Sequence, residues 1–212
     1  MDGRGLDMKG KLITIEGGDG SGKSTQIARL REALSLRGID ALFLREPGDT
    51  AIGETLRQVI LNPQNSEMCP ETETLLYAAS RAQLAAQVMV PALAAGRLVI
   101  CDRYVDSSVA YQGFGRELGA DYVLAVNRRA WEMARPDRTI YLELTPEQGL
   151  KRKTGQQALD RLEEAGAAFH RRVFDGYRWL CSREPERFRV INAALSPEEV
   201  HAQVLLAVEE LL

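Results

Sequence analysis

A doubly wound α/β fold built on five parallel strands is predicted by three observations on the 212-residue sequence. Five short runs of apolar or β-branched residues alternate with longer stretches of helical periodicity, as expected of strands covered on both faces by crossover helices. The first run stops at a glycine-rich turn in which Gly17, Gly22, Lys23 and Ser24 fill the pattern G-x-x-x-x-G-K-[ST]. No Ser/Gly-rich or Pro-rich linker and no internal repeat interrupts the chain, so residues 11–212 are expected to form one domain behind a short extension, residues 1–10.

The first strand is carried by Leu12, Ile13, Thr14 and Ile15. Glycines in the turn that follows let the backbone come close to a ligand, so that successive N–H groups can point into one concavity suited to phosphate oxygens. Lys23 is then placed to reach the β and γ phosphates, and the Ser24 hydroxyl to bind magnesium. Residues 24–36 read as a helix with Ile27, Leu30, Ala33 and Leu34 on its apolar side, and its N-terminus adds partial positive charge where the phosphates would sit. Strand, loop and helix in that order predict a nucleoside triphosphate site on Gly17, Gly18, Asp19, Gly20, Ser21, Gly22, Lys23, Ser24 and Thr25.

Gly38 can cap that helix, and residues 41–44 read as a second strand that ends in Arg45-Glu46-Pro47-Gly48. Ligands of open α/β sheets bind at this carboxyl side of the strands. A helix with Ile52, Leu56, Val59 and Ile60 carries Arg57 on a more polar face, and a long helical pattern over residues 71–95 has Pro91 as a kink near its end. Within it Tyr77 and Arg81 are four apart and share a face, where a ring can stack on a planar base while a guanidinium donates to its carbonyl. Residues 98–101 form the third strand, which stops at Asp102-Arg103-Tyr104. Asp102 is in the Walker-B arrangement for a magnesium carboxylate, and Arg103 beside it suits a second phosphate group. Asp106, Ser107, Ser108, Tyr111 and Gln112 then supply donors and acceptors fit for a base edge or a sugar hydroxyl.

Another amphipathic helix is expected over residues 121–133 and a fourth strand over 139–144. Thr145-Pro146-Glu147 starts the next helix, with Thr as N-cap, Pro in the first turn and an acid at the positive dipole end. Lys151, Arg152, Lys153 and, further on, Asp160-Arg161-Leu162-Glu163 suggest a basic flap, about residues 152–163, that brings positive charge to a transferring phosphoryl group. A helix over 163–181, a fifth strand over 188–191 and a last helix over 197–211 complete the chain.

The formal net charge of −3 argues against a general nucleic-acid binder, so a polyanionic ligand must be met by local basic groups and metal. Cys69, Cys101 and Cys181 are scattered, without a Cys-x-x-Cys pair, and read as reduced thiols; His170 and His201 give no metal-ligand spacing. Residues 1–10 contain no apolar stretch for a signal peptide or a membrane span, so a cytoplasmic protein without a membrane partner is expected.

Taken together, the loop from Glu16 to Thr25, Arg45-Glu46-Pro47-Gly48, the Tyr77/Arg81 pair, Asp102-Arg103-Tyr104 with Asp106-Ser107-Ser108 and Ala110-Tyr111-Gln112-Gly113, and Arg135-Pro136-Asp137 resemble the bacterial thymidylate kinases over essentially the whole chain. The resemblance implies a three-layer α/β/α P-loop NTPase fold. It also implies magnesium-dependent transfer of the γ-phosphoryl group of ATP to thymidine monophosphate (dTMP), by a homodimer. It further implies that Tyr77 stacks on thymine, that Arg81 meets its 4-carbonyl, that Ser108 and Gln112 contact the base, and that Tyr111 lies near the sugar. Arg103, with Arg45 and Arg57, would hold the monophosphate beside Glu46 and Pro47, and Asp19 would lie near the sugar 3′-hydroxyl and the metal. Two departures stand out: Asp49 replaces the second glycine of Arg-Glu-Pro-Gly-Gly-Thr, and residues 154–158 lack the arginines of the family's flap. The catalytic cation is therefore expected from Arg152, Lys153 or Arg161. Competing readings are a kinase for another nucleoside monophosphate or for a deoxynucleoside, and a nucleotide-dependent switch without a small-molecule acceptor.

Overall fold

The structure, a computed structural model, describes residues 10–153, 162 and 165–212. Strands β1 (Lys11–Glu16), β2 (Ala41–Arg45), β3 (Leu98–Asp102), β4 (Arg138–Glu143) and β5 (Phe188–Asn192) form one sheet in the order β2-β3-β1-β4-β5. Every pairing is parallel. The alternation of each strand sorts its side chains between two cores: Leu12, Val99, Cys101 and Tyr141 face one, and Ile13, Ile15, Ile100, Ile140 and Leu142 face the other. Helices α1 (Lys23–Leu36) and α9 (Pro197–Glu209) cover the second core through Leu30, Leu34, Val200 and Val204. Helices α3 (Pro70–Leu84), α6 (Ala120–Met133) and α8 (Ala167–Arg183) cover the first through Leu84, Val123, Phe169, Val173 and Tyr177. The result is the expected α/β/α layering.

Topology decides where the cleft lies. From β1 the chain goes to β2 at one edge, returns to β3, and crosses β1 to reach β4 and β5. The strand order reverses beside β1, and a crevice opens at the carboxyl ends there. Register brings those ends together, because Ile15 and Arg45 both pair with Asp102.

Two helical segments depart from the α geometry that their spacing suggests. Past α3, the segment expected to kink at Pro91 passes through a π-helical turn, Ala85–Met89, before α4 (Val90–Ala94). Pro91, which has no N–H to give the helix, follows closely on that π-helical turn. Helix α5 (Val105–Ser108) likewise runs into a π-helical stretch, Val109–Gly115, closed by Arg116 N–H donating to Tyr111 O at 2.8 Å. The helix expected from residue 163 begins instead at Ala167, behind Gly166 at φ 85°. Helix α2 (Ala51–Leu61) starts at Thr50, whose hydroxyl accepts from Gly53 N–H at 2.9 Å.

Helix α7 (Pro146–Lys153) abuts the glycine-rich loop directly. A Cβ on Gly149 would lie 2.3 Å from Asp19 O, and one on Gly20 would lie 2.5 Å from Gly149 O. Backbone meets backbone there, so neither side has a flexible side chain that can yield. Gly149→Ala is therefore expected to cost about 1–3 kcal/mol of stability through overpacking and to raise the KM for the triphosphate by displacing the loop. Urea unfolding and steady-state kinetics on the same protein check both.

Candidate active site

The glycine-rich loop leads into α1 with its first turn open. Gly22 is the N-cap, at φ 88°; among the described residues no side chain caps the helix, and no acidic residue occupies the first turn. By contrast, α9 carries a full capping box of Ser196 and Glu199. Backbone N–H groups of the α1 first turn are thus left for an anion. Lys23 Nζ donates to Gly17 O at 3.0 Å and to Gly18 O at 3.4 Å, which holds it across the loop. Burial, then the nearby Arg103, lowers the Lys23 ammonium to about 8; phosphate groups in the loop would act in the opposite sense. Ser24 and Thr25 are exposed on the first turn. At the end of β3, Asp102 Oδ1 is buried and has no hydrogen-bond partner among the described residues. A carboxylate oxygen at the end of β3 and a hydroxyl on the first turn after the glycine-rich loop are the kinds of oxygen donor that suit magnesium.

Glu16 ends β1 in full burial and joins the loop to two other elements. Its carboxylate accepts from Tyr104 N–H at 2.7 Å, from Ser107 Oγ at 2.5 Å and from the Tyr177 hydroxyl at 2.9 Å. Ser107 in turn accepts from Arg103 Nη1 at 3.1 Å. Arg103, at φ 69°, also donates to Gly17 O at 3.1 Å and to the Tyr111 hydroxyl at 3.3 Å, and lies 3.5 Å from Asp19. A residue other than glycine in the left-handed region, held by so many partners, is the kind of strain that concentrates at functional sites. On its other side Asp19 lies 3.8 Å from His170 Nδ1. Burial and the neighbouring Asp106 raise the Glu16 carboxyl to about 7, against the pull of Ser107, Arg103 and Tyr177.

A cleft opens from this network between α2, α3 and the π-helical stretch. Asp19, Glu46, Pro47, Arg57, Tyr77 and Arg81 line it, as do Arg103, Ser108, Tyr111 and Gln112. Arg81 is buried. It donates to Glu46 Oε2 at 2.6 Å, Ser108 Oγ at 3.0 Å, Asn127 Oδ1 at 2.5 Å and Tyr104 O at 3.1 Å. Burial pushes Glu46 up to about 7 even with Arg81 pulling the other way.

Arg45 is the substrate-side candidate that does not line the cleft. Its guanidinium donates to Pro47 O at 3.1 Å and Glu54 Oε1 at 2.7 Å. Asp49, at φ 56°, accepts from Arg45 N–H at 2.7 Å, so the extra carboxylate serves this turn and stays off the cleft wall. Asp106, grouped by sequence with the ligand-facing residues, points away and pairs with Arg187 at 2.6 Å. Arg152 donates to Ala193 O at 2.8 Å and Gly20 O at 3.4 Å. Arg161 and residues 154–160 lie outside the described residues, whereas Leu162 is buried and lines the cleft.

Reading motifs alone misses Leu61, Glu73 and Tyr177, and does not assign Glu16, Ser107 and Leu162, which stand in quoted segments, the places they take here. A signal for Glu73 exists, since it lies four residues before Tyr77 and eight before Arg81 on one stripe of α3. Nothing local marks Tyr177, which reaches the site from the far end of the chain.

A phosphate loop on a doubly wound sheet, facing a second cleft walled by arginines and an aromatic ring, defines an ATP-dependent kinase of small phosphorylated substrates. A thymidylate kinase family model matches residues 15–204. The thymidylate kinase of Pelotomaculum thermopropionicum is 47% identical over 207 residues, covering 97% of this chain and 95% of that protein. That of Caldanaerobacter subterraneus subsp. tengcongensis is 47% identical over 205 residues, covering 97% and 98%. The chain belongs to the thymidylate kinase family.

Because the raised Glu16 carboxyl keeps a proton in the folded state that the unfolded chain releases near 4.5, stability falls as pH rises from about 4.5 to about 7. Glu16→Gln is expected to flatten that fall by about 1–3 kcal/mol, leaving the part due to Glu46. Urea unfolding of both proteins at pH 5 and pH 8 measures the difference.

Proposed function

We propose that this chain transfers the γ-phosphoryl group of ATP to dTMP, giving ADP and thymidine diphosphate, with residues 11–212 acting as one catalytic unit. The observation that carries the reading is the juxtaposition of the open α1 N-terminus with a cleft that offers Tyr77, Arg81, Ser108 and Gln112 to a base. ATP phosphates rest on residues 17–25, with Lys23 following the transferred group. Ser24 and Asp102 hold magnesium, which when bound neutralises charge on the phosphate oxygens. Arg57 and Arg103 grip the acceptor monophosphate, and Asp19 orients the sugar. Arg45 acts behind them, by holding the turn that carries Glu46 and Pro47. Positioning accounts for most of the catalysis, since phosphoryl transfer needs the two oxygens in line and the developing charge covered.

A cytoplasmic homodimer is part of the reading. Among the described residues no helix is long and apolar enough to cross a membrane. Val59, Leu75, Tyr122 and Leu124 are exposed apolar residues on α2, α3 and α6, which suits a face covered by a second copy.

A coupled assay that offers each nucleoside monophosphate and deoxynucleoside with ATP tests the activity. dTMP is expected as the best acceptor, and Lys23→Ala is expected to lower turnover at least about a hundredfold in a folded protein. Preference for another acceptor overturns the reading. The flap cation is assigned to Arg161, with Arg152 in support, because the phosphate loop itself has no arginine. Arg161→Ala should reduce turnover about tenfold or more with little change in calorimetric binding of dTMP.

A further inference from the structure

One buried carboxylate faces the base side of the cleft from behind and has no part in the chemistry above. Glu73, on α3, is completely buried and accepts from Gln112 Nε2 at 2.8 Å. Arg116 donates to both of its oxygens, through Nε at 3.3 Å and Nη2 at 3.0 Å. Glu73 can therefore serve Gln112 only as an acceptor. Which end of a glutamine amide is nitrogen follows from its partners, and here the partner admits one answer. A flipped Gln112 would set its carbonyl oxygen against a carboxylate oxygen at hydrogen-bond distance. Gln112 is buried but lines the cleft, and its Oε1 accepts no hydrogen bond from the described residues. That oxygen is the end of the amide left for a ligand.

Arg81 completes the pattern. Of the five N–H groups of a guanidinium, Nε goes to Glu46, both of Nη1 go to Ser108 and Asn127, and one of Nη2 goes to Tyr104 O. The second Nη2 hydrogen has no acceptor among the described residues, and Arg81 lines the cleft. The wall therefore presents one donor and one acceptor. A pyrimidine with a carbonyl next to a ring N–H, as in thymine or uracil, matches both. Cytosine, with an amino group next to an unprotonated ring nitrogen, reverses both.

We propose that Glu73 is a positioning residue for base selectivity, acting by locking the Gln112 amide with its carbonyl toward the base. This rests on the reading of the cleft as an acceptor-nucleotide site. Sites built on paired donors and acceptors reject a mismatched partner strongly, because their buried groups are left unpaired. Removing the lock lets the amide turn, and selectivity falls while the cleft itself remains.

The test compares kcat/KM for dTMP and for deoxycytidine monophosphate in the wild type, in Glu73→Gln, and in the exchanged pair Glu73→Gln with Gln112→Glu. Glu73→Gln should lower the dTMP-to-deoxycytidine monophosphate ratio at least about tenfold, with the KM for ATP changed by less than about twofold. The exchanged pair restores an acceptor toward the base and should recover most of the ratio. A purely structural role for Glu73 lowers both substrates together and leaves the ratio where it was, which overturns the proposal. Should Glu73→Gln alone fail to fold, the exchanged pair decides: a folded double variant that has lost the preference for dTMP overturns it as well. A wild type that itself prefers a different acceptor refutes the reading of the cleft instead, and that outcome is distinct because it appears before any substitution is made.

Discussion

Glu16 closes the central strand with a carboxylate that water does not reach, and a buried charge without partners costs several kcal/mol. Its three donors come from separate places: the backbone of the turn after β3, a hydroxyl of α5 and a phenol of α8. Satisfying one carboxylate thus fixes the position of the Asp102-Arg103-Tyr104 turn against the phosphate loop and ties α8 over both. Arg103 is placed by the same network through Ser107, which explains how a non-glycine residue is kept at positive φ. The placement of the cleft beside the loop follows from this one satisfied group.

Around Arg81 the same logic builds the cleft wall. A guanidinium this deep needs acceptors, and Glu46, Ser108, Asn127 and Tyr104 O supply them from four different parts of the chain. Glu73 does the equivalent for Gln112 and Arg116. Side chains held in this way need little reordering when a ligand arrives, so more of the contact energy appears as binding or as catalysis. The π-helical stretch that carries Tyr111 and Gln112 belongs to this wall, which agrees with the tendency of such turns to occur at functional sites.

The phosphate side is built by the opposite means. Where α2 and α9 satisfy their first-turn N–H groups with side chains, α1 leaves them open behind Gly22. The loop is held from outside: Gly149 of α7 lies against Gly20 and Asp19, and Arg152 reaches Gly20 O. Helix α7 leads into the expected flap, so a shift of the flap base has a direct mechanical route to the phosphate loop.

Strand number, strand boundaries, the glycine-rich turn into α1 and most of the residues that line the cleft were legible in the sequence, chiefly because they rest on local physics. Short continuous apolar runs read as strands buried on both faces, Gly-x-x-x-x-Gly-Lys-Ser turns tightly into a helix, and Tyr77 and Arg81, four apart, share a helical face. The family resemblance follows from the order of these segments. What no local pattern encodes is which of several basic or acidic groups reaches the site. Arg45 turned to Glu54 and the Pro47 carbonyl, the acceptors that its own turn and α2 bring within hydrogen-bond reach of its guanidinium, and Asp106 turned inward to Arg187. Two π-helical turns shifted side chains off the α spacing that their sequence implies. Glu16 with Tyr177, and Glu73 with Gln112, are pairs joined across 161 and 39 residues of chain. Only the folded structure could choose them, because a buried polar group takes whichever partner the packing brings within reach, and packing is a property of the whole chain.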